Sequence, residues 1–344
     1  LSLVGSEMCI RDRIWTGEKS NPYYNFLFTK FFYMKIKLVS AALLALLACS
    51  CTEEFNDKNG VDGTNTMQVN AYIGKSPVTR AEKTAWENND QLGVYVVDNS
   101  IDVPYKGSAS YSNIPFVFTG KGFKSDNILL DENEGTVYAY YPYKSDLADP
   151  KAVPVDISEQ TDHLYGEGNS KVSITARNVD IEMQHALTQV VFKIRKTSDY
   201  KGGEGKITAV VLKNTGAAKP LQTKGSYNIA TGAVTTTQDG DVSFSANQTL
   251  TEDYVSLSSI LFPVSATSGK DMQVVFTIDG RDLKYDFPAG TAWAASYRNI
   301  YSISLDGNGL IIGGGEDPSG GQSGVTIEPW TDSQNNDISL VPVI

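Results

Sequence analysis

Apolar residues return at every second position in this chain, in short runs closed by Gly, Asn or Asp at intervals of roughly ten residues. Met67, Val69, Ala71 and Ile73 form one run, and Leu92, Val94 and Val96 a second. Val137, Ala139, Tyr141 and Tyr143 form a third, and Val190, Phe192 and Ile194 a fourth. Residues two apart share one face of an extended chain, so each run predicts a strand with an apolar face. Turn chemistry adds two hairpins. Val274, Phe276 and Ile278 run into Asp279-Gly280, which suits the positive φ angles of a tight primed turn, and Leu283, Tyr285 and Phe287 return. Tyr227 and Ile229 lead through Ala230-Thr231-Gly232 to Val234. No long stretch has the spacing of an amphipathic helix. The pattern predicts an all-β fold built of β-sandwiches, and 18 Tyr with recurrent Thr, Val and Ser agree with it.

Composition narrows the function. The chain has 344 residues, 41% of them hydrophobic and 20% charged, enough for roughly two domains with buried cores. A formal net charge of -11 argues against nucleic acid as a partner, because displacing phosphate counterions takes Lys and Arg. Two His and three Cys leave almost no material for a His/Cys zinc site, and neither metal nor cofactor is expected. No Cys follows Cys51, so a disulfide within the body and thiol chemistry are both excluded.

The front of the chain is read apart from the fold. Residues 1–33 are expected to be a non-native, adapter-derived prefix, with a genuine apolar prefix as the alternative. Residues 34–48 read as a secretory signal: Lys35 and Lys37 precede an apolar run from Leu38 to Ala48 that is too short to span a bilayer. Leu46-Leu47-Ala48-Cys49 resembles the lipobox of bacterial lipoproteins, and Ala48-Cys49-Ser50-Cys51 offers a second position. Cys49 or Cys51 is therefore the expected lipid attachment point; an ordinary signal peptide with incidental Cys is the alternative. Residues 49–66 form a polar, charged tether. Its Glu53 and Glu54 resemble the surface-export signal of Bacteroidetes lipoproteins, or serve only to keep a linker solvated.

Beyond the tether, a boundary is expected near Glu182, where a polar segment precedes the strand at Val190. This gives an N-terminal sandwich over 67–182 and a C-terminal one over 183–312. Residues 313–324, rich in Gly and Ser, form a linker, and 325–344 an apolar strand arm. Val325, Ile327, Trp330, Leu340, Val341, Val343 and Ile344 are costly to leave in water, so the arm is expected to dock on this molecule or on another.

Chemistry is sparse. His163 and His185 are the two candidates for a general base, and neither lies near a Gly-x-Ser-x-Gly elbow; a structural role is favoured for both, and no enzyme is expected. Carboxylates are abundant, so a glycosidase pair is not excluded by counting. The turn Asp131-Glu132-Asn133-Glu134-Gly135 lacks EF-hand spacing and reads as a solvated turn rather than a calcium loop. Trp86, Trp293 and Trp330 offer faces for sugar rings, with core packing the favoured reading.

An ordered set of motifs resembles the fimbrillin family, the Mfa-like surface lipoproteins and pilins of Bacteroidetes. It begins with Thr79-Arg80-Ala81, then Trp86, then Asn89-Asp90-Gln91-Leu92-Gly93-Val94-Tyr95, where Asn89 and Leu92 replace the family's usual Gly and Ile. Ala139-Tyr140-Tyr141-Pro142-Tyr143, Asp162-His163-Leu164-Tyr165-Gly166 and His185-Ala186-Leu187-Thr188-Gln189-Val190-Val191-Phe192 follow, and Gly225-Ser226-Tyr227-Asn228-Ile229-Ala230-Thr231-Gly232 completes the set.

The resemblance implies two transthyretin-like β-sandwich domains, export as an outer-membrane lipoprotein exposed at the surface or in a fimbrium, and assembly with other fimbrial subunits by strand exchange. It also implies proteolytic processing at Arg80-Ala81, loss of the strand over 67–73, and a donor strand from 325–344. Two alternatives stay open: the arm completes its own sheet, or the protein is a non-polymerising surface lipoprotein that binds glycans or another host or bacterial surface ligand.

Overall fold

The structure is a computed structural model that describes residues 67–74, 85–125, 128–307, 309–312 and 325–330. Residues 1–66 with Cys49 and Cys51, the Arg80-Ala81 bond, the linker 313–324, and Leu340, Val341, Val343 and Ile344 lie outside the described residues.

The first eight strands are β1 (Gln68–Ile73), β2 (Gln91–Val97), β3 (Ile114–Phe118), β4 (Phe123–Lys124), β5 (Thr136–Tyr141), β6 (Val153–Asp156), β7 (Leu164–Glu167) and β8 (Asn178–His185). All but β6 close into a seven-stranded barrel in the order β1-β4-β3-β2-β5-β7-β8. Six of its contacts are antiparallel, and the seventh, between β1 and β8, is parallel and closes the ring. The barrel interior is the alternation read from the sequence: Met67 just before β1, Val69 and Ile73 of β1, and Leu92, Val94 and Val96 of β2 are buried with Val179, Ile181 and Met183 of β8.

The rest of the fold comprises β9 (Thr188–Lys196), β10 (Lys206–Asn214), β11 (Gln222–Tyr227), β12 (Val234–Asp239), β13 (Val242–Phe244) and β14 (Gln248–Thr249), followed by β15 (Val255–Leu261), β16 (Met272–Ile278), β17 (Arg281–Asp286), β18 (Tyr297–Asp306), β19 (Gly309–Ile312) and β20 (Val325–Pro329). They form a sheet β13-β10-β16-β17 with β14 added to β10, a sheet β12-β11-β6, and a sheet β15-β9-β18-β19 with β20 added to β18. The expected hairpin at Asp279-Gly280 is present, with φ of 49° and 74° at the two turn residues and Ile278 opposite Arg281.

Two features depart from a simple alternation. Strands β2 and β5 are buried on both faces, because Tyr95, Val97 and Tyr140 point out of the barrel into a second core that also holds Phe192, Phe276 and Trp293. A strand between two cores cannot show the one-sided pattern of a half-exposed one. In addition, Glu182 and Met183, where the sequence suggests a boundary, lie inside β8, and β6 pairs with β11 across that position.

Candidate assembly site

The two ends of the described chain are both docked strands. β1 pairs along its full length with β8, from Gln68 opposite Asn178 to Ile73 opposite Met183, and its other edge meets β4. Its apolar residues face the core and Tyr72 faces solvent, as period two requires. Side chains add to the ladder. The indole N–H of Trp86 donates to the Ala71 carbonyl at 2.7 Å while its ring packs edge-on to Phe123 and Tyr141. Asn70 Nδ2 donates to Asp180 Oδ1 at 2.9 Å. Trp86 thus ties the strand to the barrel from beyond the Arg80-Ala81 position.

At the other end, β20 lies antiparallel on β18, with Val325 opposite Tyr301 and Pro329 opposite Tyr297. β18 is flanked on its other edge by β9 in parallel register. The first part of the expected donor arm, including Val325 and Ile327, is therefore paired within its own chain in this structure. Trp330 follows directly and is fully buried. Its ring is stacked on His185, the last residue of β8, with centroids 3.9 Å apart and planes 2° from parallel. His185 Nδ1 lies 2.9 Å from Asp162 Oδ1, and both side chains are 2% exposed. Barrel and arm meet at this cluster.

The other candidates have structural places. His163 is buried with its ring edge against Tyr227. Burial, reinforced by the positive Lys144 and opposed by Asp162, pushes its pKa down to about 4. The His185–Asp162 pair has the orienting contact of a hydrolytic dyad, but Trp330 covers the imidazole face and the pair is closed to solvent. In the acidic turn, Asp131 is engaged by Lys106 Nζ at 2.8 Å and by the Tyr105 hydroxyl at 2.6 Å. The hydrogen bond from Lys106 holds its carboxyl well below the ordinary value, with the Tyr105 hydroxyl adding to it. Among the described residues no cluster of His, Cys, Asp and Glu is arranged to hold a metal ion. Trp293 and Trp330 are buried, so neither offers a platform to a sugar ring, and Trp86 is half-buried against β1.

The sequence motifs have geometric reasons. Asn89 adopts φ 76°, the left-handed region that favours Gly and that Asn tolerates, which accounts for its standing where Gly is usual. Gly93 sits where any Cβ would overlap the Tyr140 ring, and a Cβ at Gly166 would lie 2.6 Å from the Glu182 carbonyl oxygen. The Asp162-His163 and His185-Ala186 motifs, distant in sequence, are joined by the Asp162–His185 contact.

The fimbrillin-like family profile matches residues 79–330. The chain belongs to the fimbrillin-like family. This fimbrillin-like protein is 26% identical over 297 residues to a Bacteroides uniformis protein named "Putative fimbrium subunit Fim1C", covering 81% of this chain and 93% of that one. Its fold is similar to those of two solved structures titled as a "putative cell adhesion protein". One, from Bacteroides uniformis, has TM-score 0.57 at 20% identity and covers 78% of this chain and all of that one. The other, from Bacteroides ovatus, has TM-score 0.57 at 21% identity and covers 78% and 99%.

Proposed function

We propose that this fimbrillin-like protein is a cell-surface fimbrial subunit, or an adhesin-like accessory of a fimbrium, that joins its neighbours by strand exchange. The observation that carries the reading is the placement of both ends of the described chain as docked strands, β1 on β8 and β20 on β18. A strand held by main-chain bonds and a row of alternate side chains can be replaced by an equivalent strand from another subunit. Cleavage at Arg80-Ala81 releases β1 and uncovers an edge of β8 together with a slot once filled by Met67, Val69 and Ile73. The arm 325–344 of a neighbour supplies the replacement. Such a contact is head-to-tail and builds open filaments. The same reading places lipid on Cys49 or Cys51, the mature protein at the outer membrane, and two transthyretin-like sandwich domains around the two cores. The family membership and the fimbrium subunit among its relatives support it.

Electron microscopy of cells expressing the full chain, and of cells expressing a chain ending at Gly324, tests the proposal. Filaments from the first and none from the second are expected; filaments from both defeat the donor arm.

The second reading left open by the sequence is a non-polymerising lipoprotein that binds a glycan or another ligand. An open cleft of about 540 Å³ lies between Tyr95, Asp102, Asn113 and Asp149. Intact monomers and unchanged sugar binding in the truncated chain are its signature.

A further inference from the structure

Trp330 is held by more than the β20 ladder. Its backbone N–H donates to the Ser296 carbonyl at 2.6 Å. Ser296, at φ 62°, in turn donates its own N–H to the Leu187 carbonyl at 2.8 Å and its hydroxyl to the His185 carbonyl at 2.6 Å. The His185 ring is fixed by Asp162, so the face it shows the indole is set in advance. A buried indole ordinarily finds an acceptor for its N–H, as Trp293 does at 2.9 Å from the Tyr301 hydroxyl. Trp330 Nε1 and His185 Nε2 have no such partner among the described residues. What selects Trp330 is therefore the flat stack and the backbone bond to Ser296.

We infer that Asp162, His185 and Ser296 form a recognition socket whose ligand is an indole at the end of an extended strand. The chain's own Trp330 fills it in this structure, and Trp330 of a second copy is the ligand when arms are exchanged; this last part rests on the strand-exchange reading. The imidazole face, held in place by the Asp162 carboxylate on Nδ1, lies parallel to the indole, and an indole offers it a larger flat area than a phenyl ring does. An aliphatic side chain fills the space but cannot stack. Because His185 ends the strand that β1 covers, the socket sits where the slot of the barrel and the arm meet.

Hydrogen exchange followed by mass spectrometry on the full chain tests the socket. His185→Ala is expected to raise exchange across 325–330 about tenfold or more while β9 stays protected, and His185→Phe, which keeps a flat face, to restore most of the protection. Unchanged exchange over 325–330 in His185→Ala overturns the socket. Should that variant open throughout, Trp330→Leu decides: loss of protection confined to the arm supports the socket, and full protection overturns it. Filaments are scored in the same samples after cleavage at Arg80-Ala81. Their absence from the wild-type chain, with the exchange effects intact, defeats strand exchange and leaves the cis socket standing. Filaments formed equally well by Trp330→Leu defeat recognition of the second copy's indole.

Discussion

The imidazole of His185 lies flat against the indole of Trp330, 3.9 Å between centroids and 2° from parallel, and so joins the last strand of the barrel to the last described residue of the chain. Strand β8 thereby has two segments to hold, β1 along its edge and the described start of the arm at its end.

Stability is expected to fall as the pH drops from about 6.5 toward about 4. His163 has an ordinary value of 6.5 and is pushed down to about 4 in the fold, chiefly by burial. Within that window the unfolded chain binds the proton and the folded chain does not, so stability is complete above the upper value and drains away as the pH falls. The difference amounts to about 3 kcal/mol. Urea unfolding at several pH values checks this, and His163→Phe should flatten the slope in this window. Asp156, lowered to about 2 by its bonds from Ser158 and Lys224, acts in a lower window and does not mask the effect.

Trp86→Phe keeps an aromatic ring but removes the donor to the Ala71 carbonyl. It is expected to weaken the docking of β1 by about 1 kcal/mol, read as faster hydrogen exchange over 68–73 with β9 unchanged. Equal exchange in both proteins contradicts the role given to Trp86.

Gly93→Ala places a methyl group inside the Tyr140 ring. Tyr140 is buried at the seam of the two cores and its hydroxyl donates to Asn113, so it has little room to yield. A loss of about 1–3 kcal/mol is expected in urea unfolding.

Asn89→Gly should change stability by no more than about 0.5 kcal/mol, while Asn89→Val should cost about 1–3 kcal/mol, because a β-branched residue is strained at φ 76°. Equal stability of the two variants contradicts the turn geometry.

Much of the β-structure is legible in local pattern, and the reasons are visible in single elements. The hairpin through Asp279-Gly280 is encoded within a few residues, by turn chemistry and by Val274, Phe276 and Ile278 on one face. Strand β8 is harder to see, since Asp180, Glu182 and Gln184 make the segment look polar. Its signal was nonetheless present: Val179, Ile181 and Met183 alternate with them and are buried. Closure of the barrel leaves no local trace, because β1 meets a partner 110 positions away, as at Asn70 and Asp180. Nor does the stack of His185 on Trp330, since each residue alone reads as an ordinary core aromatic. The burial of Tyr95 and Tyr140 outside the barrel was likewise hidden, because a second layer has to be placed before that face counts as interior.

Size-exclusion chromatography with electron microscopy of the purified protein, before and after an arginine-specific protease cuts at Arg80-Ala81, tests strand exchange most directly. Monomers before cleavage, and filaments afterwards only when residues 325–344 are present, are the predicted result. A cleaved, full-length protein that stays monomeric at every concentration, or a truncated one that polymerises equally well, contradicts it.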